Sequence, residues 1–197
     1  IIITGRVADI SLTLAPCVFE FNWRMDSFDL LAQASVAGHL IECGAQVTGG
    51  LSHHYLELKK PYQLGYPIAV ISEDGQVGIT KPKHSGGCVS VETVTEQLLY
   101  EIGDPTAYIT PDVVIDLSQL SIQLLHEDYV CVSGAKGFPS TDFYKVAASF
   151  HRGFHVSFDL VFNGADSRVM AEHTSKIIKK QIYCLDLTHI NFELLGS

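Results

Sequence analysis

A helix start at Asp26 or Ser27 and a helix stop at Gly44 bracket the residues between them, which read as one helix to about Cys43. A short polar side chain satisfies the free N–H groups of a first turn, and glycine accepts the left-handed backbone that closes a last one. Leu30, Ala34, Ala37 and Ile41 fall on one face of that helix. Such a face has to be buried against another layer. His39 lies nearly opposite it, and Glu42, three residues on, is its neighbour on the helix surface. Gly38 removes a side chain beside His39 and lets another segment approach.

Around this helix the chain reads as alternating layers. "IIIT" reads as a strand with a loop at Gly5–Asp9. Ile10 to Phe21 is mostly apolar and is broken by Pro16. Residues 48–67 carry glycines and prolines and read as loop. "IAVIS" is a strand followed by the tight turn "EDGQ", and Ser90 or Thr93 opens a helix to about Ile102. After Pro111, "DVVIDLS", "SIQLL", "DYVCVSG", "YKVAASF" and "HVSFDLVF" read as successive strands. "VSGAKG" reads as a hairpin-like glycine turn. Asp166 to Ile182 returns to helical spacing, and "INFELLG" reads as a last strand. The expectation is an α/β domain, with mixed α+β as the other arrangement: a layered sheet with flanking helices and a strand-rich second half. The change near residue 110 has no linker, so a single domain over 1–197 is expected.

Composition narrows the classes of function. Apolar residues are 47% and charged residues 18%, which excludes a disordered chain. A net charge of −9 argues against nucleic acid or an anionic membrane surface as the main partner. No apolar run approaches the roughly 20 residues a membrane helix needs. The five cysteines are widely spaced with no C-x-x-C pair, so a structural zinc site is not expected. Free thiols suit a reducing, cytoplasmic setting. The opening "III" expects neighbours on both sides, so self-association or a partner chain covering that strand is expected, as for a piece of a longer protein.

The chemistry-bearing residues gather in three stretches. In "GHLIECGAQVTGG", a carboxylate beside an imidazole fixes its tautomer and raises its basicity, which suits His39 and Glu42 to acid–base work. The same two residues are equally at home as a solvated pair on an exposed helix side. H-x-x-E-C lacks the second histidine of the inverted zincin motif, so no metal is assigned, although His53 and His54 stand nearby in sequence. In "TKPKHSGG", Lys81 and Lys83 precede Gly86 and Gly87 and a helix start, where N–H groups attract phosphate or carboxylate. A plain glycine turn is the competing account. In "TGRVAD", Arg6 can clamp an acid group and Asp9 can serve as an acid–base group or orient Arg6. Glu96, Tyr100, Asp104, Tyr108 and Asp112 follow in one further polar stretch, read as anchoring the helix to its loop. No cofactor is named by these residues.

"ITGRVAD", "GHLIECGAQVTGG", "LGYPIA", "TKPKHSGG", "EQLLYEIGDPTAYITPDVVID" and "VSGAKG", in that order, resemble the acyclic terpene utilisation (AtuA-like) family, and this chain is similar to its C-terminal portion. The resemblance runs from residue 1 to about 137 and is thinner beyond. It implies a role in breakdown of acyclic terpenes, routes that proceed through acyl-CoA thioesters. It marks Arg6, Asp9, His39, Glu42, Gln46, Lys81, Gly86 and Gly87 as positions shared with the family. The expected ligand is an acyl-CoA-like small molecule: His39, Glu42 and Asp9 act as acid–base groups, and Arg6, Gln46, Lys81, Lys83, Gly86 and Gly87 hold the substrate. The rival expectation is a binding or scaffolding subunit of an acyl-CoA carboxylase assembly.

Overall fold

Helix α2 (Phe28–Glu42) is buried without a break from Leu31 to Leu40. The sequence dictates this by size rather than by an apolar stripe. Ala32, Ala34, Ser35, Ala37 and Gly38 are small, so backbones can approach the helix from several sides. His39 therefore does not sit on an open helix side; it is 1% exposed. The computed structural model describes Ile1 and residues 3–196, and the chain forms two compact units, Ile1–Val146 and Ala147–Ser197.

In the first unit, α1 (Ser11–Phe21) packs along α2. Pro16 does not break it: α1 runs through the proline, which gives up one backbone hydrogen bond. The helix closes at Asn22 in the left-handed conformation, where the Trp23 N–H donates back to Val18 O at 3.2 Å. Two antiparallel sheets lie against α2. The first has the order β1 (Ile68–Ile71), β2 (Val77–Thr80), β6 (Tyr129–Ser133), β5 (Ser121–His126). Register aligns Ile71, Val77, Val132 and Ile122 across all four strands, with Ala69, Ile79 and Val130 as the next row. These rows form the core face. The second sheet has the order β3 (Tyr108–Ile109), β4 (Val113–Asp116), β7 (Lys136–Pro139). The fold is thus mixed α and β, with every strand pair antiparallel.

"VSGAKG" is not a hairpin turn. It carries the chain from β6 in the first sheet to β7 in the second. Gln33 of α2 fixes that crossing. Its Nε2 donates to Val132 O at 2.7 Å, and its Oε1 accepts from the Ala135 N–H at 3.1 Å. One turn nearer the start of α2, Asp29 accepts from the Gly137 N–H and from Lys136 Nζ, both at 2.9 Å. These two bonds hold the Asp29 carboxyl below the usual carboxylate range, the Gly137 N–H contributing more. Helix α3 (Val91–Leu99) opens with a capping box in which Ser90 and Thr93 exchange hydrogen bonds, so both caps read from the sequence take part.

Several expected strands do not form. Ile1 and Ile3 are exposed and lie outside any strand, and Ile2 falls outside the described residues. In the second unit α4 (Ser167–Ile182) matches its spacing, but "YKVAASF", "HVSFDLVF" and "INFELLG" are not strands. Among the described residues, 142–163 make no backbone-to-backbone hydrogen bond. A period of two sets which side chains share a face; a strand also needs a neighbour to bond to.

The α1–α2 crossing depends on Gly38, where an added Cβ would stand 2.9 Å from Ile10 Cα and 3.0 Å from Ile10 O. Backbone cannot swing aside as a side chain can. Gly38→Val is expected to lower the unfolding free energy by about 2 kcal/mol through overpacking, measured by urea denaturation.

Candidate functional site

The imidazole of His39 is held at both nitrogens. Nε2 lies 3.2 Å from Leu98 O at the end of α3, and Nδ1 lies 3.2 Å from Glu42 Oε1. A carbonyl oxygen only accepts, so Nε2 carries a proton and donates it. Nδ1 is the ring nitrogen left to face the Glu42 carboxyl. The contact is reciprocal, because Gln97 Nε2 donates to His39 O at 3.0 Å. The Tyr108 ring meets the imidazole edge-on, with centroids 5.7 Å apart.

Glu42 is the member of the pair that reaches solvent; its side chain is 16% exposed against 2% for His39. Burial pushes its carboxyl above the usual range. His39 pulls the other way, and the carboxylates of Asp9 and Glu101 push it up again. Tyr108 is raised by burial and then by Glu42, Glu101 and Asp9. Four acidic or phenolic groups therefore feel one another around a single imidazole. Asp9 is brought there because Ile10, the next residue, lies directly over Gly38.

His39 and Glu42 are in contact, and Asp9, exposed in the loop before α1, acts on Glu42 only through its charge. Arg6 lies three residues before Asp9 in the same loop, exposed and without an ion pair among the described residues. Gln46 ends the short 3-10 turn Gly44–Gln46 that follows α2, half-buried, and its carbonyl accepts from the Gly49 N–H at 3.0 Å. Glu101 was not singled out from the sequence. Its only signal is a non-glycine residue at φ +60° just beyond α3, which no spacing rule announces. Leu98 contributes a backbone carbonyl, and a side-chain pattern cannot point to that.

The loop at Lys81–Gly87 lies at the other end of α3, so it is separated from His39 by about 12 Å of helix. Its backbone is turned inward. The Gly86 N–H donates to Gln63 O at 2.7 Å, Gly87 to Lys59 O at 2.9 Å and Cys88 to Thr48 O at 3.0 Å. The next N–H, of Val89, donates to Asp128 Oδ1 at 2.9 Å. The N–H groups of the glycine loop itself, from Gly86 to Val89, are therefore engaged within the protein. Both glycines are required by close approach, since a Cβ on either would run into the carbonyl of Lys60 or Thr48. Lys81 is buried, with Nζ 2.9 Å from Asp128 Oδ2 and donating to Ser85 O at 3.2 Å. Lys83 is exposed.

Among the described residues, no group of three or more His, Cys, Asp or Glu side chains is arranged to hold a metal ion. The five cysteines are free thiols. Among the described residues no helix is long and apolar enough to cross a membrane.

Two measurements test this account of the site. The folded protein binds a proton at Glu42 more readily than the unfolded chain does. Stability should therefore fall as pH rises upward from the ordinary glutamate range. Glu42→Gln should flatten that part of the profile, read from urea midpoints at a series of pH values. In the distant loop, Lys81→Ala leaves Asp128 without its buried partner and should cost about 3 kcal/mol. Lys83→Ala should stay within about 0.5 kcal/mol of the parent.

Residues 1–197 match the family model described as "Acyclic terpene utilisation family protein AtuA". No curated protein and no solved structure gives a significant match. With the match extending over all 197 residues, the chain belongs to the acyclic terpene utilisation family.

Proposed function

We propose that this chain catalyses an acid–base step, a hydration or lyase reaction, on a branched acyclic terpenoid substrate carried as an acyl-CoA thioester. Family membership supports the terpenoid context. The observation that carries the chemistry is Glu42: a partly solvent-facing carboxyl, raised by burial, with a buried imidazole fixed behind it. Such a group keeps its proton nearer to neutrality than an ordinary glutamate and can give it up to a substrate. In a hydration, Glu42 protonates one carbon of a double bond, water adds to the other, and the added water returns a proton to Glu42.

The roles differ from those the spacing suggested. His39 is too enclosed to touch substrate and acts as a positioning residue that faces the Glu42 carboxyl. Burial holds the proton on Glu42, and the charges of Asp9 and Glu101 add to this. The same carboxylates disfavour an anionic group at the reacting centre, so the coenzyme's phosphates would lie away from it, with Arg6 at the outer edge of the loop as the available cation. A second reading is a non-catalytic acyl-CoA-binding subunit of a larger carboxylase assembly. The saturation of both His39 nitrogens favours it, because a fully bonded imidazole is equally suited to locking α2 to α3.

Turnover decides between them. Incubated with branched, unsaturated acyl-CoA thioesters, the chain should convert substrate, followed by mass spectrometry. Glu42→Gln should lower the rate by about 100-fold or more with the fold intact by circular dichroism. Binding of thioester by calorimetry without any turnover by the parent chain would overturn the catalytic reading in favour of the binding subunit.

A further inference from the structure

Residues 154–162, "FHVSFDLVF", have the pattern of a strand and no strand partner. Phe154, Val156, Phe158 and Leu160 alternate on one face and are 96%, 80%, 63% and 53% exposed. His155, Ser157 and Asp159 alternate on the other. Among the described residues of this stretch, the backbone N–H and C=O groups make no backbone-to-backbone bond. Helix α4 of the same unit also contains no buried residue, and its Val169, Met170 and Ile177 are all exposed. A period-2 apolar face with free ladder groups is the form in which one chain adds to another by strand pairing.

We propose that residues 154–162 pair antiparallel with the same segment of a second copy of this chain, about a two-fold axis through Ser157. The sequence is complementary to itself in that register. Val156 falls opposite Phe158 and Phe154 opposite Leu160, so the apolar faces coincide. His155 falls opposite Asp159, and the symmetry makes this donor–acceptor pair twice while keeping the two carboxylates apart. The partner is another copy rather than an acidic or basic protein, because charge does not oppose the contact. The net −9 lies in residues 1–146, and residues 147–197 carry five basic and five acidic residues. A two-fold axis closes the assembly at two copies. The paired strands satisfy each other's inner ladder groups, and the exposed apolar side of α4 from each copy is the layer available to cover the doubled face.

The test uses the full chain with Cys184, the exposed thiol of this unit, changed to serine. In sedimentation velocity the parent should run as a dimer, and Phe158→Asp should weaken dimerisation by tenfold or more, as expected for loss of a central aromatic contact. Phe158 is exposed, so this change leaves the fold of residues 1–146 intact, checked by circular dichroism. Ser157→Cys lies on the axis, where the two Cα atoms approach within the range a disulfide spans, and should give a cross-linked dimer on mild oxidation. Asn163→Cys, twelve positions out of register from its symmetry mate, should not. A monomeric parent, equal cross-linking at both sites, or larger aggregates unaffected by Phe158→Asp would each overturn the proposal.

Discussion

Everything in the first unit is fastened to one helix. α2 meets α1 at Gly38, α3 at His39, the first sheet at Gln33 and the second sheet at Asp29. Each tie is made by a different side chain on a different side, and between them the helix has small residues. An unpaired polar group in the interior is costly, and Gln33 and His39 are paired within the protein, whereas the buried Ser35 hydroxyl has no hydrogen-bond partner among the described residues. Gln33 and His39 in the core, and Asp29 at its exposed edge, are the polar groups that tie the helix to its neighbours. They direct where the neighbouring backbones must pass.

The site follows from the same constraint. His39 is buried because α3 and the Tyr108 strand lie on it, and its orientation is set by a backbone carbonyl, which cannot change its role. That leaves Nδ1 facing the Glu42 carboxyl, the member of the pair that reaches solvent. Desolvation dominates the shift of Glu42, with two further carboxylates adding to it. The local chemistry is a consequence of burying one carboxyl beside an imidazole, with two exposed carboxylates adding a smaller push. Lys81 and Asp128 show the contrasting use of charge: a pair, buried on the lysine side, whose bonds to each other, to Ser85 O and from the Val89 N–H close a loop.

The helix from Ser27 to Cys43, the capping box at Ser90, the strand "IAVIS" and the pairing of His39 with Glu42 were legible in the sequence, because each depends on residues within four positions of one another. The amphipathic reading of α2 was not sound, since a helix enclosed on every side can be assembled from residues that mimic a single stripe. Strand β2, "VGIT", escaped notice because Gly78 weakens its pattern; in the structure the Tyr129 side chain fills the space above that glycine. The glycines of "TKPKHSGG" have a structural use of a related kind. Glycines mark close approach of something, and here the something is the protein's own backbone at Lys60 and Thr48.

Sequence alone determined the local elements of this protein: where helices start and stop, which residues alternate, and that an imidazole and a carboxylate are neighbours on one helix. Their signals are short-range dihedral and side-chain preferences, complete within a few residues. Only the tertiary structure decided that His39 is interior, that Asp9 and Glu101 join Glu42, that Lys81 faces inward, and that "HVSFDLVF" has no ladder partner among the described residues. Those outcomes rest on contacts between positions tens of residues apart, and on the loss of water that raises a carboxyl or commits a lysine to a partner. Neither burial nor a hydrogen-bonding neighbour is a property of a residue; both arise when distant segments meet.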